Sequence, residues 1–131
     1  MEPIFIPSES GNAFHLIGLA QFGGVGGMRD HGALESAWTA AENVYRYGSG
    51  DICQIAAAYT FHIAPNHPFI DGNKRVALAT AATFLKWNGC EDRSQDTVLY
   101  DMMTGIDSRR TDKQAIAEIL QIQFPSTGVY R

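Results

Sequence analysis

Several things are scarce in this chain, and each scarcity excludes a class of answer. Cysteine occurs twice in 131 residues, at Cys53 and Cys90, far apart and in no CxxC pair. That excludes a disulfide-built scaffold and leaves two reduced, partly buried thiols of a cytoplasmic protein as the expectation. Basic runs are short, none exceeding Arg109-Arg110, and the formal net charge is −4. Direct binding to nucleic acid is therefore excluded as the main activity, although a small basic pocket is not. No apolar run reaches the roughly 18–20 residues that span a bilayer, so no membrane contact is expected. The start, Met1-Glu2-Pro3-Ile4-Phe5, lacks the basic region of a signal peptide. No segment of useful length alternates with a period of two, which sets all-α as the expected class.

What the chain has is helical periodicity in one domain's length. Ser8 to Phe22 carries Phe14, Ile17, Leu19 and Phe22 behind an N-cap serine, weakened by Gly11 and Gly18; His15 on it receives no role. Gly32 to Tyr47 presents Leu34, Ala37, Trp38, Ala41 and Tyr45 on one face. Asp51 caps a third helix that runs to Ile63 and stops before Pro65. Gly72 to Trp87 is the fourth, with Ala77, Leu78, Ala81, Phe84 and Leu85 as its buried stripe and Asn88-Gly89 as its stop. Thr97 to Ile106 and Thr111 to Phe124 complete the set, the last opening on a Thr111–Gln114 capping box. Pro3 to Pro7 is an extended lead-in, and a loose tail is expected from Pro125. Trp38 and Trp87 are expected in the core.

Gly23-Gly24-Val25-Gly26-Gly27 holds four glycines in five residues and is no regular element. No GK[ST] follows, so it is not a Walker A loop. An exposed edge poor in side chains is a place where another chain can add on, and a plain flexible connection is the alternative.

His67-Pro68-Phe69-Ile70-Asp71-Gly72-Asn73-Lys74-Arg75 concentrates the chemistry. Pro68 keeps His67 out of a regular helix. Gly72 can take φ > 0 and turn successive N–H groups toward one concavity, at a helix start where such groups are unpaired and attract anions. Lys74 and Arg75 oppose the macrodipole at that end, so a bound anion is expected to offset them. Asp71 beside a phosphate nest calls for Mg²⁺ between them, although an aspartate there also suits an N-cap. His67 is then the group able to accept a proton near neutral pH. His62, His67 and Asp71 lack the shared helical face of an HExxH zinc site. The stretch reads as a phosphoryl- or nucleotidyl-transfer site with a general base.

This nonapeptide resembles the Fic/Doc signature HxFx(D/E)(G/A)N(G/K)R, with every specified position filled. The pattern GG..G.RD.G.LESA, from Gly23 to Ala37, is similar to that of death-on-curing toxins of the same family. The resemblance implies a Fic-type bundle of about six helices from Ile4 to Phe124, followed by a short tail at residues 125–131. It implies that Gly23, Gly24, Val25, Gly26 and Gly27 form a flap where the protein target docks. It implies His67 as catalytic base, Asp71 as Mg²⁺ ligand, and Gly72, Asn73, Lys74 and Arg75 as the ATP-phosphate site. Family members that transfer AMP read GNGRxxR, whereas Lys74 and Leu78 stand here at the second Gly and the second Arg. The expected activity is therefore transfer of the γ-phosphate of Mg-ATP to a Thr or Ser hydroxyl of a translation factor such as elongation factor Tu. AMP transfer, and a catalytically idle antitoxin-binding role, are the alternatives. The inhibitory pattern (S/T)xxxE(G/N) is not matched, since Trp38 stands four residues before Glu42-Asn43. That implies inhibition in trans by a small antitoxin.

Overall fold

Alanine lets helices approach closely, and the most alanine-rich stretches form the centre of this protein. The computed structural model describes residues 2–127. In chain order the helices are α1 Ser10–Phe22, α2 His31–Gly48, α3 Ile52–Ile63, α4 Asn73–Trp87, α5 Asp96–Asp107 and α6 Lys113–Gln123. The class is all-α. Among the described residues the only β features are two isolated antiparallel bridges, Met28 with Phe69 and Cys90 with Ser126. No described helix is long and apolar enough to cross a membrane.

α3 is the axis, packed against α2, α4 and α6, while α1 packs on α4. Ala56, Ala57 and Ala58 are all buried on it, as are Ala77 and Ala81 on α4. Larger groups fill the remaining space: Tyr59 meets the Trp38 ring edge-on at 5.2 Å and lies 5.6 Å from Phe84. Full burial of side chains such as these contributes about 1.5–3 kcal/mol each. The lead-in is fastened at two points, by Trp38 Nε1 donating to the Ile6 carbonyl at 2.8 Å and by the Asn88 amide pairing with Ile4.

Three sequence expectations are corrected. Trp87 is 44% exposed and not core, because it lies at the end of α4 beyond the Ala77–Phe84 stripe. α6 starts two residues later than expected, capped by Asp112, whose carboxylate accepts from Ala115 N–H at 2.9 Å; Gln114 turns to Glu118 instead. The segment after Pro125 is not loose as far as Thr127. Pro125 accepts from Glu91 N–H, and Thr127 N–H donates to Gly89, so the chain runs back along the end of α4. The rest of that expected tail lies outside the described residues. α1 also departs in detail. Its start has no side-chain cap, Ile17 is exposed, and its buried residues are Gly11 and His15.

Candidate active site

The loop between α3 and α4 is held from three sides. Pro68 O accepts from both Arg29 N–H and Asp30 N–H, at 2.8 and 2.9 Å, and Ile70 N–H donates to Gly27 O at 3.1 Å. The end of the glycine-rich segment is thus paired with the loop. Phe69 is buried and stacks on the His15 ring at 4.1 Å. Asn73 reaches back from α4 and closes both polar groups of the Phe69 backbone, each at 2.9 Å. These restraints explain how His67 keeps φ at 48°, in the left-handed region and directly before a proline. Such a conformation costs on the order of 1–3 kcal/mol and persists only where its surroundings over-determine it. The His67 ring is exposed and has no hydrogen-bond partner among the described residues, so both nitrogens are available.

At the start of α4, Gly72 occupies the N-cap position with φ 80° and supplies no side-chain cap. A Cβ there would come within 2.9 Å of the Arg75 guanidinium, the mobile end of its side chain, so it is the positive φ that favours glycine. The first helical bond is Val76 N–H to Gly72 O, which leaves the N–H groups of Asn73, Lys74 and Arg75 without described partners. Asp71 precedes this end yet does not cap it. Its Oδ1 accepts from Gly72 N–H at 2.8 Å and its Oδ2 from Val25 N–H at 3.2 Å. The Val25 and Gly72 bonds, with Arg75 and His15 nearby, hold its carboxyl below the usual carboxylate range. Asp71 is therefore an exposed, ionised carboxylate beside a row of open N–H donors.

The two cations that follow are already engaged. Lys74 Nζ pairs with Asp107 at the last residue of α5, at 2.6 Å. Arg75 donates to Gly23 O at 3.0 Å and lies 5.5 Å over the Phe22 ring, while its Nε is buried with no partner. The local cost of a lysine at a helix N-terminus is thus offset within the protein by Asp107, a partner that lies 33 positions away in sequence. Around these groups opens a cleft of about 860 Å³. Its lining includes the polar His67, Asp71, Lys74 and Arg75, the carboxylates of Asp96 and Asp107 from α5, and the apolar Leu78, Leu99, Tyr100 and Met103. The nest with its cations suits phosphates, Asp71 suits a divalent cation, and the apolar residues suit a base.

The residues singled out in the sequence come together here, with differences of role. Gly72 and the amides of residues 73–75 form the nest. The Asn73 side chain, expected at phosphate, is instead bound to the Phe69 backbone. In the flap, alternate residues face inward: Gly23 O meets Arg75, Val25 N–H meets Asp71, and Gly27 O meets Ile70. The backbone groups of Gly24 and Gly26 have no described partner. At Gly24, φ is 118°, which favours glycine, and a Cβ would sit 2.7 Å from Asp71 Oδ2 and displace that carboxylate oxygen. Sequence reasoning missed two residues. His15 is buried, and its Nε2 donates to the Asp71 carbonyl at 3.0 Å. Asp107 holds Lys74. No local pattern marks either one, because each acts on a partner more than thirty residues away.

The Fic/DOC family profile matches residues 8–85, from the start of α1 almost to the end of α4. A protein of Mycolicibacterium smegmatis named Toxin Doc is 36% identical over 110 residues, covering 76% of this chain and 80% of that protein. Another, named Protein kinase doc, of Escherichia phage P1, is 29% identical over 115 residues, covering 87% of this chain and 90% of that protein.

Proposed function

Because the chain belongs to the Fic/DOC family, we propose that it is a Doc-like toxin that moves the γ-phosphate of Mg-ATP to a Thr or Ser hydroxyl of a protein target. The observation that carries this reading is the pairing of an uncapped, glycine-started α4 with an ionised Asp71 beside it. The open N–H groups of residues 73–75 fit phosphate oxygens. Asp71 would hold Mg²⁺, which when bound neutralises and bridges phosphate oxygens. Lys74 reaches the same cleft and exchanges Asp107 for phosphate. Leu78 lines the cleft, so no second arginine grips the outer phosphates there. That distribution favours a γ-phosphate turned toward His67, which takes the hydroxyl proton as the oxygen attacks phosphorus.

The inward-facing groups of the flap serve the site, which leaves Gly24 and Gly26 to offer N–H and C=O to an added target strand. The functional unit spans Ile4 to Phe124 and acts in the cytoplasm on a translation factor such as elongation factor Tu. A small antitoxin inhibits it in trans. Two labelled ATPs test the reading with the target found by mass spectrometry after brief induction. Label entering protein from the γ position, with ADP released, is expected. Label from the α position, with pyrophosphate released, would make the protein an AMP transferase instead.

A further inference from the structure

One face of α1 runs along the site. His15, Gly18 and Phe22 follow one another at helical spacing, and α1 lies on α4. The Arg75 guanidinium stands 5.5 Å over the Phe22 ring, and a Cβ at Gly18 would come within 3.3 Å of Arg75 Nε. His15, the first of the three, reaches past Arg75 to the peptide that joins Asp71 to Gly72.

Both polar ends of that peptide are bound. Its oxygen accepts from His15 Nε2 at 3.0 Å, and its N–H donates to Asp71 Oδ1 at 2.8 Å. A carbonyl only accepts, so the proton of this bond stands on Nε2. The ring that carries it is 5% exposed and stacked on Phe69 at 4.1 Å, and Asn73 fixes Phe69 in turn through both of its backbone groups. Packing, and not the hydrogen bond alone, therefore holds the donor in place. The plane of the peptide decides what Asp71 can do. Gly72, at φ 80°, is a residue about which a peptide turns over at little cost. Turned over, its N–H would leave Oδ1, and Val25 N–H at 3.2 Å would be the one donor left to draw the carboxylate aside. An aspartate at a helix start otherwise caps the helix, as Asp30, Asp51 and Asp112 do.

We propose that His15 is the positioning residue of Asp71: by locking the Asp71–Gly72 peptide it keeps the carboxylate turned to the cleft, where it can take a divalent cation, and off the open end of α4. This rests on the reading of Asp71 as the Mg²⁺ ligand. His15 acts through the peptide it holds, as an outer partner that orients a metal-binding carboxylate. Its ring and its donor are separable. Phe in its place keeps a ring against Phe69 and removes the donor. Gln removes the ring and keeps an amide N–H₂ near the place of Nε2. Leu removes both.

The test uses the full chain with His15→Phe, His15→Gln and His15→Leu beside the wild type. ATP binding is measured by calorimetry with Mg²⁺ and again in EDTA, and melting temperatures are recorded. With Mg²⁺, the Phe and Leu variants should bind about tenfold more weakly, and the Gln variant should stay within about threefold of wild type. In EDTA all four should agree within about twofold. Melting temperatures should group otherwise, with Phe above Gln and Leu, because they follow the stacked ring. In an Asp71→Ala background, His15→Phe should weaken Mg-ATP binding by no more than about a further twofold, since the residue it positions is gone. If the Phe variant does not fold, Leu against Gln makes the same comparison. Mg-ATP affinity that follows melting temperature instead of the donor, a loss as large in EDTA, or a full further loss on Asp71→Ala would each reduce His15 to packing and leave the Mg²⁺ reading of Asp71 standing. Wild-type affinity that is the same with Mg²⁺ and in EDTA would overturn the Asp71 reading and the positioning role together.

Discussion

α2, α3 and α6 each begin at an aspartate whose carboxylate accepts from an N–H of the first turn: Asp30 from Ala33, Asp51 from Gln54, Asp112 from Ala115. α4 also has an aspartate at its start, and there the pattern breaks. Asp71 is turned away to Gly72 and Val25, and a left-handed Gly72 takes the cap position with nothing to offer. One residue type in nearly one sequence position thus does two jobs. Where the flap supplies no donor, the aspartate closes the helix end. Where Val25 N–H draws it aside, the end stays open and the carboxylate faces the cleft. Three ends are closed by aspartate, and the fourth leaves its first N–H groups open.

Breaking the fourth end should abolish chemistry and leave the fold. His67→Ala should lower transfer by about 10²–10⁴-fold, the range for a positioned general base, with an unchanged far-ultraviolet circular dichroism spectrum because the ring is exposed. Full transfer by a folded His67→Ala variant would remove the base. Asp71→Ala should weaken Mg-ATP binding on the order of 10–100-fold, as loss of a metal-site group does, measured by titration calorimetry. The pH dependence follows from the lowered pKa of Asp71. A depressed folded value means that its contribution is complete above the unfolded pKa and lost only as pH falls through the folded one. Its part in Mg-ATP affinity should therefore be flat from pH 8 down to about 5.

The capped ends should respond in the opposite sense. Asp51→Ala and Asp112→Ala should each cost about 1 kcal/mol of stability in urea unfolding while leaving Mg-ATP affinity unchanged. Asp71→Ala should show no such capping loss, and equal destabilisation at all three positions would erase the distinction. The smallest effect concerns Lys74. Its bridge to Asp107 is about half exposed on both sides, so the bond is worth roughly 0.2–1 kcal/mol. Asp107→Asn should free the ammonium and tighten Mg-ATP by up to about fivefold.

Much of this was legible in the residues. The period of 3.6 located all six helices, since tertiary packing here agrees with local preference. The Asp51 cap was readable because its Gln54 partner lies three residues away. The α6 cap was misplaced by one residue because Thr111 and Asp112 both suit the position, and Thr111 is held against Gly105. At the cleft, the nonapeptide and the glycine-rich segment could be found, whereas the single residues His15 and Asp107 could not. Lys74 and Arg75 looked like cations in need of an anion, yet Asp107 and the Gly23 carbonyl already meet them. Asn73 looked like a phosphate ligand, and its amide instead clamps Phe69. His15, one histidine on an apolar helix, carries no signal until the fold stacks it on Phe69.

The most direct measurement is a backbone amide correlation spectrum of labelled protein titrated with Mg-ATP. The amides of Asn73, Lys74 and Arg75 should shift strongly and saturate together, while Gln54 and Ala115, whose N–H groups are taken by aspartate caps, stay in place. Saturable Mg-ATP binding with residues 73–75 unmoved would contradict the open α4 terminus as the phosphate site.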